Sequence, residues 1–422
     1  MKHTGGNILI ISHNPLSKVN NNGKTLVSIF KGVPEDNIYQ IYLNPDIPDY
    51  SEKCHYLQLN EKQILSSILK MNNLCCKEIK ATPDRVSSTT IKSHNFGNHT
   101  KRLLREFIWK FTFWKSTLGE WLKDKQFNVV FFMAGDGLFA YDVNRFVMEH
   151  ISAKGCLFFT DDYIIGRTSY SPIATIRRIL LKRKIKKTLK ITNELYVISD
   201  EMRKAYYKLF NIEGYIIRNF SVEKRIEDVI SLEKTSDSLV MVYAGGLHYN
   251  RWKVLAKIAK ELNKINNSSK VKCYLRIYSS QNISPGIINQ LSVENSSAFL
   301  GGASASQIAD IYADADILLH VESFDKKAIA STKYSFSTKI PEYLSAGKCV
   351  LAVGPAEVAS VQYLADFACV ANNESEIKNV LVHLLNDDEY RAMIKSNCEN
   401  RYEKDFSEEK QKKCLEQILH VS

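Results

Sequence analysis

The sequence predicts an α/β protein of two domains, each built on a parallel β-sheet that helices cover on both faces. At 422 residues the chain is longer than a single hydrophobic core usually supports. Hydrophobic residues make up 45% of the chain and charged residues 24%, which is typical of globular proteins. In both halves short, continuously apolar segments alternate with helical ones, which is the pattern of strands buried in parallel sheets.

The domain boundary is expected at a polar stretch, residues 223–238, which carries many charges and few strand-forming residues. We therefore predict a first domain over 1–225, a linker over 226–238 and a second domain over 239–400. Residues 401–422 are predicted to form a C-terminal helix that packs back on the first domain.

Apolar segments mark the strands of each half. In the first half we predict strands near residues 7–12, 37–43, 54–59, 129–133, 156–160, 194–199 and 215–217. In the second half we predict them near residues 239–243, 272–278, 298–300, 317–321 and 349–353. A helix is predicted over 102–125, with Trp109, Trp114 and Trp121 in the core. Ligands of such sheets bind outside the carboxyl ends of the strands, so a cleft between the two domains is the expected site.

Composition argues against several classes of protein. The first residues lack the long apolar stretch and the cleavage site of a signal peptide, and no window approaches 18 uninterrupted apolar residues. A cytoplasmic location is therefore expected. The nine cysteines are scattered without a C-x-x-C pair, which favours reduced, mostly buried thiols over disulfides or a zinc site.

The formal net charge of +11 is unevenly spread, because residues 173–190 carry eight Lys or Arg and no acidic residue. Five apolar residues in this segment form a rough helical stripe: Ile173, Ile176, Leu180, Ile185 and Leu189. The segment therefore predicts a basic amphipathic helix, which is either a solvated surface element or a contact with anionic lipid headgroups. Nucleic acid is not expected as a partner, because aromatic residues do not interleave with these charges.

The most specific motif is FSTKIPEYLSAGKCV, residues 336–350. A Ser-Thr loop that opens a helix presents free backbone N–H groups and the positive end of the helix dipole, which together can bind phosphate. Ser337, Thr338 and Lys339 are therefore candidate phosphate ligands. Glu342, one turn into the helix, can accept hydrogen bonds from ribose hydroxyls. The alternative is a capped core helix without a ligand.

A second motif is YAGGL, residues 243–247, which is followed by Arg251. The glycines indicate a turn after a strand. Arg251 places a cation close to this turn, where it is a candidate ligand of an anionic group. The alternative for Arg251 is an exposed charge at the start of a helix. Gly301 and Glu322 each follow a later predicted strand of the same half.

These motifs resemble those of the retaining GT-B glycosyltransferases, family 4 in particular, which include enzymes of bacterial capsule and lipopolysaccharide assembly. The resemblance covers most of the chain in element order, with its specific motifs at 199–219 and 243–354. It implies the GT-B fold, two Rossmann-like parallel-sheet domains that face a central cleft. It also implies a nucleotide-diphosphate sugar as donor, a glycan or lipid-linked molecule as acceptor, and neither a cofactor nor a metal.

The resemblance implies roles for individual residues of the second half. The implied donor-binding residues are Gly245, Gly246, Arg251, Gly301, Ser337, Thr338, Lys339 and Glu342. The implied catalytic residues are Glu322, Arg251 and Lys339, together with Asp161 of the first half. Gly246 departs from the family, which usually has Arg at this position. Tyr334 stands where the family has the first of two glutamates. We interpret residues 325–334 as an insertion and Glu322 as the displaced glutamate, with an exposed loop acid as the alternative.

In the first domain, acceptor-side residues are expected at the ends of strands and in the first loop. Asp136 lies in a Gly-Asp-Gly segment, and Asp161 and Asp162 follow the next strand, where the family often has a His-Asp pair. No histidine acid or base can therefore be assigned. Asn22 and Gly23 belong to a polar loop where the family has a Gly-rich loop. The alternative for each aspartate is a helix cap.

Taken together, the sequence predicts transfer of a sugar with retention of configuration, in assembly of a bacterial surface polysaccharide. The basic segment 173–190 suits an acceptor at the inner face of the cell membrane. Two rival interpretations remain, a non-catalytic GT-B partner subunit and a nucleotide-sugar epimerase on the same fold.

Overall fold

The computed structural model describes residues 6–18, 21–70, 76–82, 99–111, 113–166, 171–220 and 238–420. The chain divides into two compact units. Unit 1 comprises Met1–Arg218 and Gln411–Ser422, and unit 2 comprises Asn219–Lys410. Of the predicted linker, only Ser238 lies among the described residues.

Unit 1 is built on an eight-stranded sheet. Its strands are β1 (Ile8–Ser12), β2 (Ile38–Tyr42), β3 (His55–Leu59), β4 (Cys76–Ile79), β5 (Val129–Ala134), β6 (Lys154–Phe159), β7 (Glu194–Val197) and β8 (Gly214–Ile216), in the spatial order β4-β3-β2-β1-β5-β6-β7-β8. Every neighbouring pair is parallel except β3 with β4. The seven parallel strands confirm the predicted ones. The strand order reverses between β1 and β5, which is the topological switch point of the sheet.

Seven helices accompany these strands along the chain. They are α1 (Asn21–Ile29), α2 (Glu61–Lys70), α3 (His99–Ile108), α4 (Phe113–Leu122), α5 (Leu138–His150), α6 (Pro172–Leu189) and α7 (Asp200–Phe210). Ser171 caps α6 by accepting a hydrogen bond from the N–H of Ala174, and Ser199 caps α7 through the N–H of Met202.

The prediction of one helix over 102–125 is wrong, because α3 ends at Ile108 and a separate helix, α4, begins at Phe113. Trp109 and Trp114 are both buried, and their rings lie 6.3 Å apart. Residues five positions apart on a continuous helix point in directions about 140° apart. The break lets both indoles enter the core, as expected for these two tryptophans. Trp121 is half-buried and donates to Glu78 Oε1 over 2.8 Å.

Unit 2 is built on a six-stranded, fully parallel sheet. Its strands are β9 (Ser238–Ala244), β10 (Lys272–Tyr278), β11 (Ser297–Gly301), β12 (Ile317–Val321), β13 (Cys349–Val353) and β14 (Cys369–Ala371), in the order β11-β10-β9-β12-β13-β14. This is the order of dinucleotide-binding folds, with the switch point between β9 and β12. All residues of β12 and β13 are buried, as the apolar runs predict.

Helices connect the strands of unit 2 and end the chain. They are α8 (Arg251–Ser268), α9 (Pro285–Leu291), α10 (Ala305–Asp314), α11 (Lys326–Thr332), α12 (Lys339–Ser345), α13 (Ala359–Ala365), α14 (Ile377–Asn386), α15 (Asp388–Phe406) and α16 (Glu408–Leu419). The residues of α16 from Gln411 onward belong to unit 1. Gln411 Nε2 donates to the carbonyl oxygens of Ile29 and Lys31, both over 2.9 Å. The buried Lys154 donates to two carbonyl oxygens at the end of α16, over 2.8 Å each.

The thiol prediction holds for the cysteines that the structure describes. All eight of them are free, and seven are buried while Cys414 is half-buried. None of the described helices combines the length and the apolar character that crossing a membrane requires.

Gly23 in α1 provides a test of packing in unit 1. A Cβ at this position would lie 2.6 Å from the carbonyl oxygen of Pro15 and 2.7 Å from the backbone nitrogen of Ser17. Alanine gains about 1 kcal/mol of helix propensity over glycine, whereas overpacking against backbone costs about 1–3 kcal/mol. We expect Gly23→Ala to lower the free energy of unfolding, measured by urea denaturation. Gly135→Ala is the control, because nothing lies within 4 Å of its Cβ. Equal stability of the two variants would contradict the close packing of Pro15 and Ser17 against Gly23.

Candidate functional site

The candidate site lies at the carboxyl edge of the unit 2 sheet, at its switch point. Gly245 and Gly246 follow β9, and Glu322 follows β12 on the other side of the switch point. The N–H of Gly245 donates to the carbonyl of Tyr278 over 2.9 Å, and the N–H of Glu322 donates to the carbonyl of Val353 over 2.9 Å. Neighbouring strands therefore fix the backbone on both sides of the crevice.

An ion pair between Arg251 and Glu322 spans this switch point. Arg251 is the first residue of α8, and its Nη2 lies 2.9 Å and 3.0 Å from the two carboxylate oxygens of Glu322, while Nε lies 3.1 Å from Oε2. The side chains are only 14% and 4% exposed. Burial raises the pKa of Glu322, and the charge of Arg251 opposes that rise. A buried pair of this kind is held firmly, because removal of one partner leaves an uncompensated charge.

Two histidines flank the ion pair. His248 Nε2 lies 2.9 Å from Arg251 Nη1, and His320 Nε2 lies 3.6 Å from Glu322 Oε1. Among the described residues, none forms a hydrogen bond with His320 Nε2. Burial, followed by the charges of Arg251 and Lys339, lowers the pKa of His248 to about 4 and that of His320 to about 3. Both imidazoles are therefore neutral at pH 7.

Sequence reasoning did not single out either histidine. A signal was present for His320, because residues two apart on a strand share a face and Glu322 is two positions away. Tyr249 and Asn250, which follow His248, both have left-handed backbone conformations, with φ of 58° and 63°. A bulky residue such as Tyr249 rarely adopts this conformation, and strained backbone of this kind clusters at functional sites.

The Ser-Thr motif contributes Lys339 to the same crevice. Lys339 begins α12, and its Cε lies 3.1 Å from the position that a Cβ on Gly245 would take. The missing side chain at Gly245 therefore leaves room for Lys339. The N–H of Ser337 donates to Ser360 Oγ over 2.9 Å, and Thr338 is the N-cap residue without a side-chain cap bond. The motif is thus fixed from below by the buried Ser360.

The other donor-side residues lie around this cluster. Glu342 is half-buried one turn after Lys339 on α12. Gly301 ends β11 with φ of 79°, and its carbonyl accepts from the N–H of Ser279 over 2.7 Å. Since β11 lies beyond β10 in the sheet, Gly301 is two strands away from the Gly245 turn. The structure therefore brings together Gly245, Gly246, Arg251, Glu322 and Lys339, with Ser337, Thr338 and Glu342 beside them on one element.

Asp136, predicted on the acceptor side, is part of an ion-pair network in unit 1. Its carboxylate lies 3.0 Å from Arg102 Nη1 and 3.1 Å from Arg177 Nη1. Arg177 also lies 3.4 Å from Glu106, whose carboxylate accepts the N–H groups of Leu138 and Phe139 at the start of α5. This network joins α3 and α6 to the turn after β5.

The remaining acceptor-side candidates also have local partners. The carboxylate of Asp162 accepts the N–H groups of Ile164, Ile165 and Gly166, which orders the turn after β6. Asp161 accepts the N–H of Asp162 over 2.9 Å. In α1, Asn22 is exposed and Gly23 is buried. Contact of any of these residues with an acceptor stays a prediction.

No group of three or more His, Cys, Asp or Glu residues that could hold a metal ion occurs among the described residues. No protein-family model matches the sequence, and no curated protein matches it.

The chain is similar over nearly its whole length to solved structures. Sucrose-phosphate synthase (tll1590) from Thermosynechococcus elongatus matches with a TM-score of 0.64 and 12% identity over 98% of each chain. Anabaena Alr3699/HepE in complex with UDP matches with a TM-score of 0.59 and 12% identity, again over 98% of each chain. The E. coli trehalose-6-phosphate structure with bound UDP-2-fluoro glucose matches with a TM-score of 0.61 and 9% identity over 99% of each chain.

These likenesses and the two strand orders establish the fold. The chain has the GT-B fold, an α/β architecture with two Rossmann-like parallel-sheet domains, and this confirms the predicted fold class.

The neutral His320 predicts a specific loss of stability in acid. The unfolded pKa is about 6.5 and the folded pKa about 3, so the unfolded chain binds more protons between these values. The free energy of unfolding therefore falls as the pH drops below about 6.5. Protonation of this one imidazole lowers it by about 2 kcal/mol at pH 5. Glu322 acts in the opposite direction, because burial raises its pKa and the folded chain therefore takes up that proton first as the pH falls. Comparison with a variant that lacks only the imidazole isolates the contribution of His320. Urea denaturation at pH 7 and pH 5 should show a smaller acid loss in His320→Gln. Equal losses in the variant and the wild type would contradict a buried neutral imidazole.

Proposed function

We propose that the chain is a glycosyltransferase that moves a sugar from a nucleotide-diphosphate sugar to an acceptor. The observation that carries the proposal is the crevice at the unit 2 switch point, where Arg251 and Lys339 flank the Gly245–Gly246 turn. Crevices at this position are the usual ligand sites of such sheets. The bound UDP and UDP-2-fluoro glucose of two similar structures support a donor of this chemical class.

The charges of the crevice fit a diphosphate. Arg251 and Lys339 bring two cations to the crevice, and Glu322 forms an ion pair with Arg251. The neutral imidazoles of His248 and His320 add no charge of their own to this group. Gly245 and Gly246 leave the backbone of their turn open to close approach by a ligand.

We assign the donor contacts accordingly. Lys339 and Arg251 bind the diphosphate together with the Ser337–Thr338 loop, and Glu342 accepts hydrogen bonds from the ribose hydroxyls. Gly301, two strands away, lies toward the base. Glu322 positions Arg251 through its two-oxygen contact and also meets the donor sugar.

We further propose that transfer retains the configuration of the sugar, as in family 4. The bond between the anomeric carbon and the leaving phosphate oxygen breaks, and the cations stabilise the negative charge that forms on the diphosphate. The acceptor hydroxyl forms the new bond on the same face and passes its proton to that phosphate. Asp161 is assigned a catalytic role, and four residues are assigned to the acceptor side: Asn22, Gly23, Asp136 and Asp162. The proposed reaction needs neither a metal nor a cofactor besides the donor.

The proposed setting is assembly of a bacterial surface polysaccharide from a glycan or lipid-linked acceptor, with the protein in the cytoplasm at the inner face of the membrane. The net charge of +11 and the basic helix α6 support an anionic, membrane-bound acceptor.

A non-catalytic GT-B partner subunit is the second candidate. The observation that favours it is the complete engagement of Glu322 by Arg251. Such a subunit would bind a nucleotide sugar without breaking the glycosidic bond. An epimerase would instead convert the sugar without an acceptor. Acceptor-dependent release of nucleoside diphosphate identifies a transferase. Conversion of the nucleotide sugar without an acceptor identifies an epimerase, and a partner subunit does neither.

The donor assignment predicts different ligand profiles for two variants. Lys339→Ala should weaken the binding of both UDP and pyrophosphate about 10- to 100-fold, because a charge-assisted hydrogen bond contributes about 1.5–3 kcal/mol to binding. Glu342→Ala should weaken UDP alone, because pyrophosphate lacks a ribose. Isothermal titration calorimetry measures both affinities, and a thermal-shift panel of nucleoside diphosphates first identifies the base.

The matched control is Lys327→Ala, which removes an exposed lysine from α11 of the same unit. It should leave both affinities unchanged. The assignment would be wrong if no nucleoside diphosphate stabilised the wild type, or if Lys339→Ala bound UDP and pyrophosphate as tightly as the control does.

A further inference from the structure

Unit 1 exposes apolar side chains on two neighbouring helices, α3 and α6. Seven residues, between 37% and 60% exposed, define what we call the α3–α6 surface: Leu104, Phe107, Phe111, Ile173, Ile176, Ile179 and Leu180. Single exposed apolar residues are ordinary on soluble proteins, but contiguous groups of them mark interaction sites.

An ion-pair network joins the two helices in unit 1. Arg177 of α6 lies 3.4 Å from Glu106 of α3, and Asp136 joins Arg177 to Arg102 of α3. Phe107 and Ile176 are each one residue away from this contact. The exposed residues of both helices therefore belong to one region, and the rings of Phe107 and Phe111 pack edge to face with centroids 5.7 Å apart.

The exposed isoleucines of α6 are not its core residues. The buried residues of this helix are Leu181, Ile185, Thr188 and Leu189. The predicted apolar stripe is therefore divided: Ile185 and Leu189 face the core, whereas Ile173, Ile176 and Leu180 face solvent. Surface helices of globular proteins usually carry polar residues on the face that points to solvent, so these exposed aliphatic side chains depart from that pattern.

The outward stripe of α6 changes from apolar to basic along its length. Ile173, Ile176, Leu180, Arg183 and Lys187 follow one another at spacings of three and four, so they share one face. The last turns thus carry cations where the first turns carry aliphatic side chains.

The basic residues on this face are available for a partner. Arg183, Lys186, Lys187 and Lys190 are exposed, and within the described part of the chain they form no ion pair. Lys184, by contrast, pairs with Asp142 of α5. Just after the end of α3, Lys110 Nζ lies 6.0 Å from the ring centroid of Phe107, so a cation also borders the apolar residues there.

We propose that the α3–α6 surface docks unit 1 on a bilayer that contains anionic lipids. Aliphatic and aromatic side chains enter the boundary between headgroups and acyl chains, and the basic residues contact the headgroup phosphates. A self-association interface would be the other use of an apolar surface, but the exposed row of like charges disfavours contact with a second copy. The docking does not depend on the transferase activity, because a protein without that activity would bind the bilayer equally well.

Vesicle co-sedimentation of the full chain tests the proposal. The wild type should bind phosphatidylcholine vesicles that contain phosphatidylglycerol, and bind pure phosphatidylcholine far more weakly. Each basic residue near an anionic surface changes partitioning about five-fold, so Arg183→Gln/Lys186→Gln/Lys187→Gln should reduce binding on the order of 100-fold. Ile176→Ser/Leu180→Ser should reduce it at least about ten-fold through lost apolar insertion.

The controls remove the same chemistry from exposed positions of unit 2. Lys260→Gln/Lys270→Gln/Lys395→Gln lowers the net charge equally, and Val382→Ser/Met393→Ser removes two exposed apolar side chains. Neither control should change binding. Phe107→Ser is the independent test on α3 and should also weaken binding.

Three outcomes would overturn the proposal. The first is a wild type that ignores anionic vesicles or binds both vesicle types equally. The second is an equal loss of vesicle binding in the control variants and the α3–α6 variants, since binding would then depend on the total charge or apolar content of the chain and not on this surface. The third is a wild-type dimer in sedimentation velocity that Ile176→Ser/Leu180→Ser dissociates, since the surface would then join two copies. Unfolding temperatures equal to that of the wild type show that reduced binding reflects the surface and not misfolding.

Discussion

The ion pair between Arg251 and Glu322 is the interaction on which the candidate site depends. It joins two residues 71 positions apart in the sequence across the switch point of the unit 2 sheet. The sheet order β9-β12 brings them together, since each follows the carboxyl end of one of these two adjacent strands. Burying two charges costs several kcal/mol per ion, and the contact of Arg251 with both carboxylate oxygens offsets that cost.

Small residues make this pairing sterically feasible. A Cβ on Gly354 would lie 2.8 Å from Glu322 Cβ, and a Cβ on Gly246 would lie 2.5 Å from the ring of His248. Gly245 leaves room for Lys339 in the same way. The neutral state of the two histidines follows from the same packing, because burial and the adjacent cations both disfavour protonation. The crevice therefore combines two cations, two neutral imidazoles and a glycine turn in one place.

The sequence was sufficient to predict features that depend on local pattern, and insufficient where distant residues decide. Apolar runs predicted the parallel strands, and with them the edge at which Gly245, Glu322 and Lys339 meet. Periodicity shows which residues share a helix face but not which face is buried, so the outward position of Ile176 came only from the structure. The break between α3 and α4 likewise reflects the burial of both Trp109 and Trp114, which no local pattern reveals.

The two units use the same position of the same topology for different purposes. In unit 2 the switch-point edge brings together Arg251 and Lys339, two cations that suit an anionic ligand. In unit 1 the turn after β5 carries Asp136, whose carboxylate pairs with Arg102 and Arg177. That pairing fixes the helices α3 and α6, and it takes Arg177 away from the outward face of α6. The basic residues that remain on the outward face, such as Arg183 and Lys187, follow the exposed isoleucines along α6. The same ion-pair network therefore joins the two helices and decides which cations of α6 can contact an anionic surface.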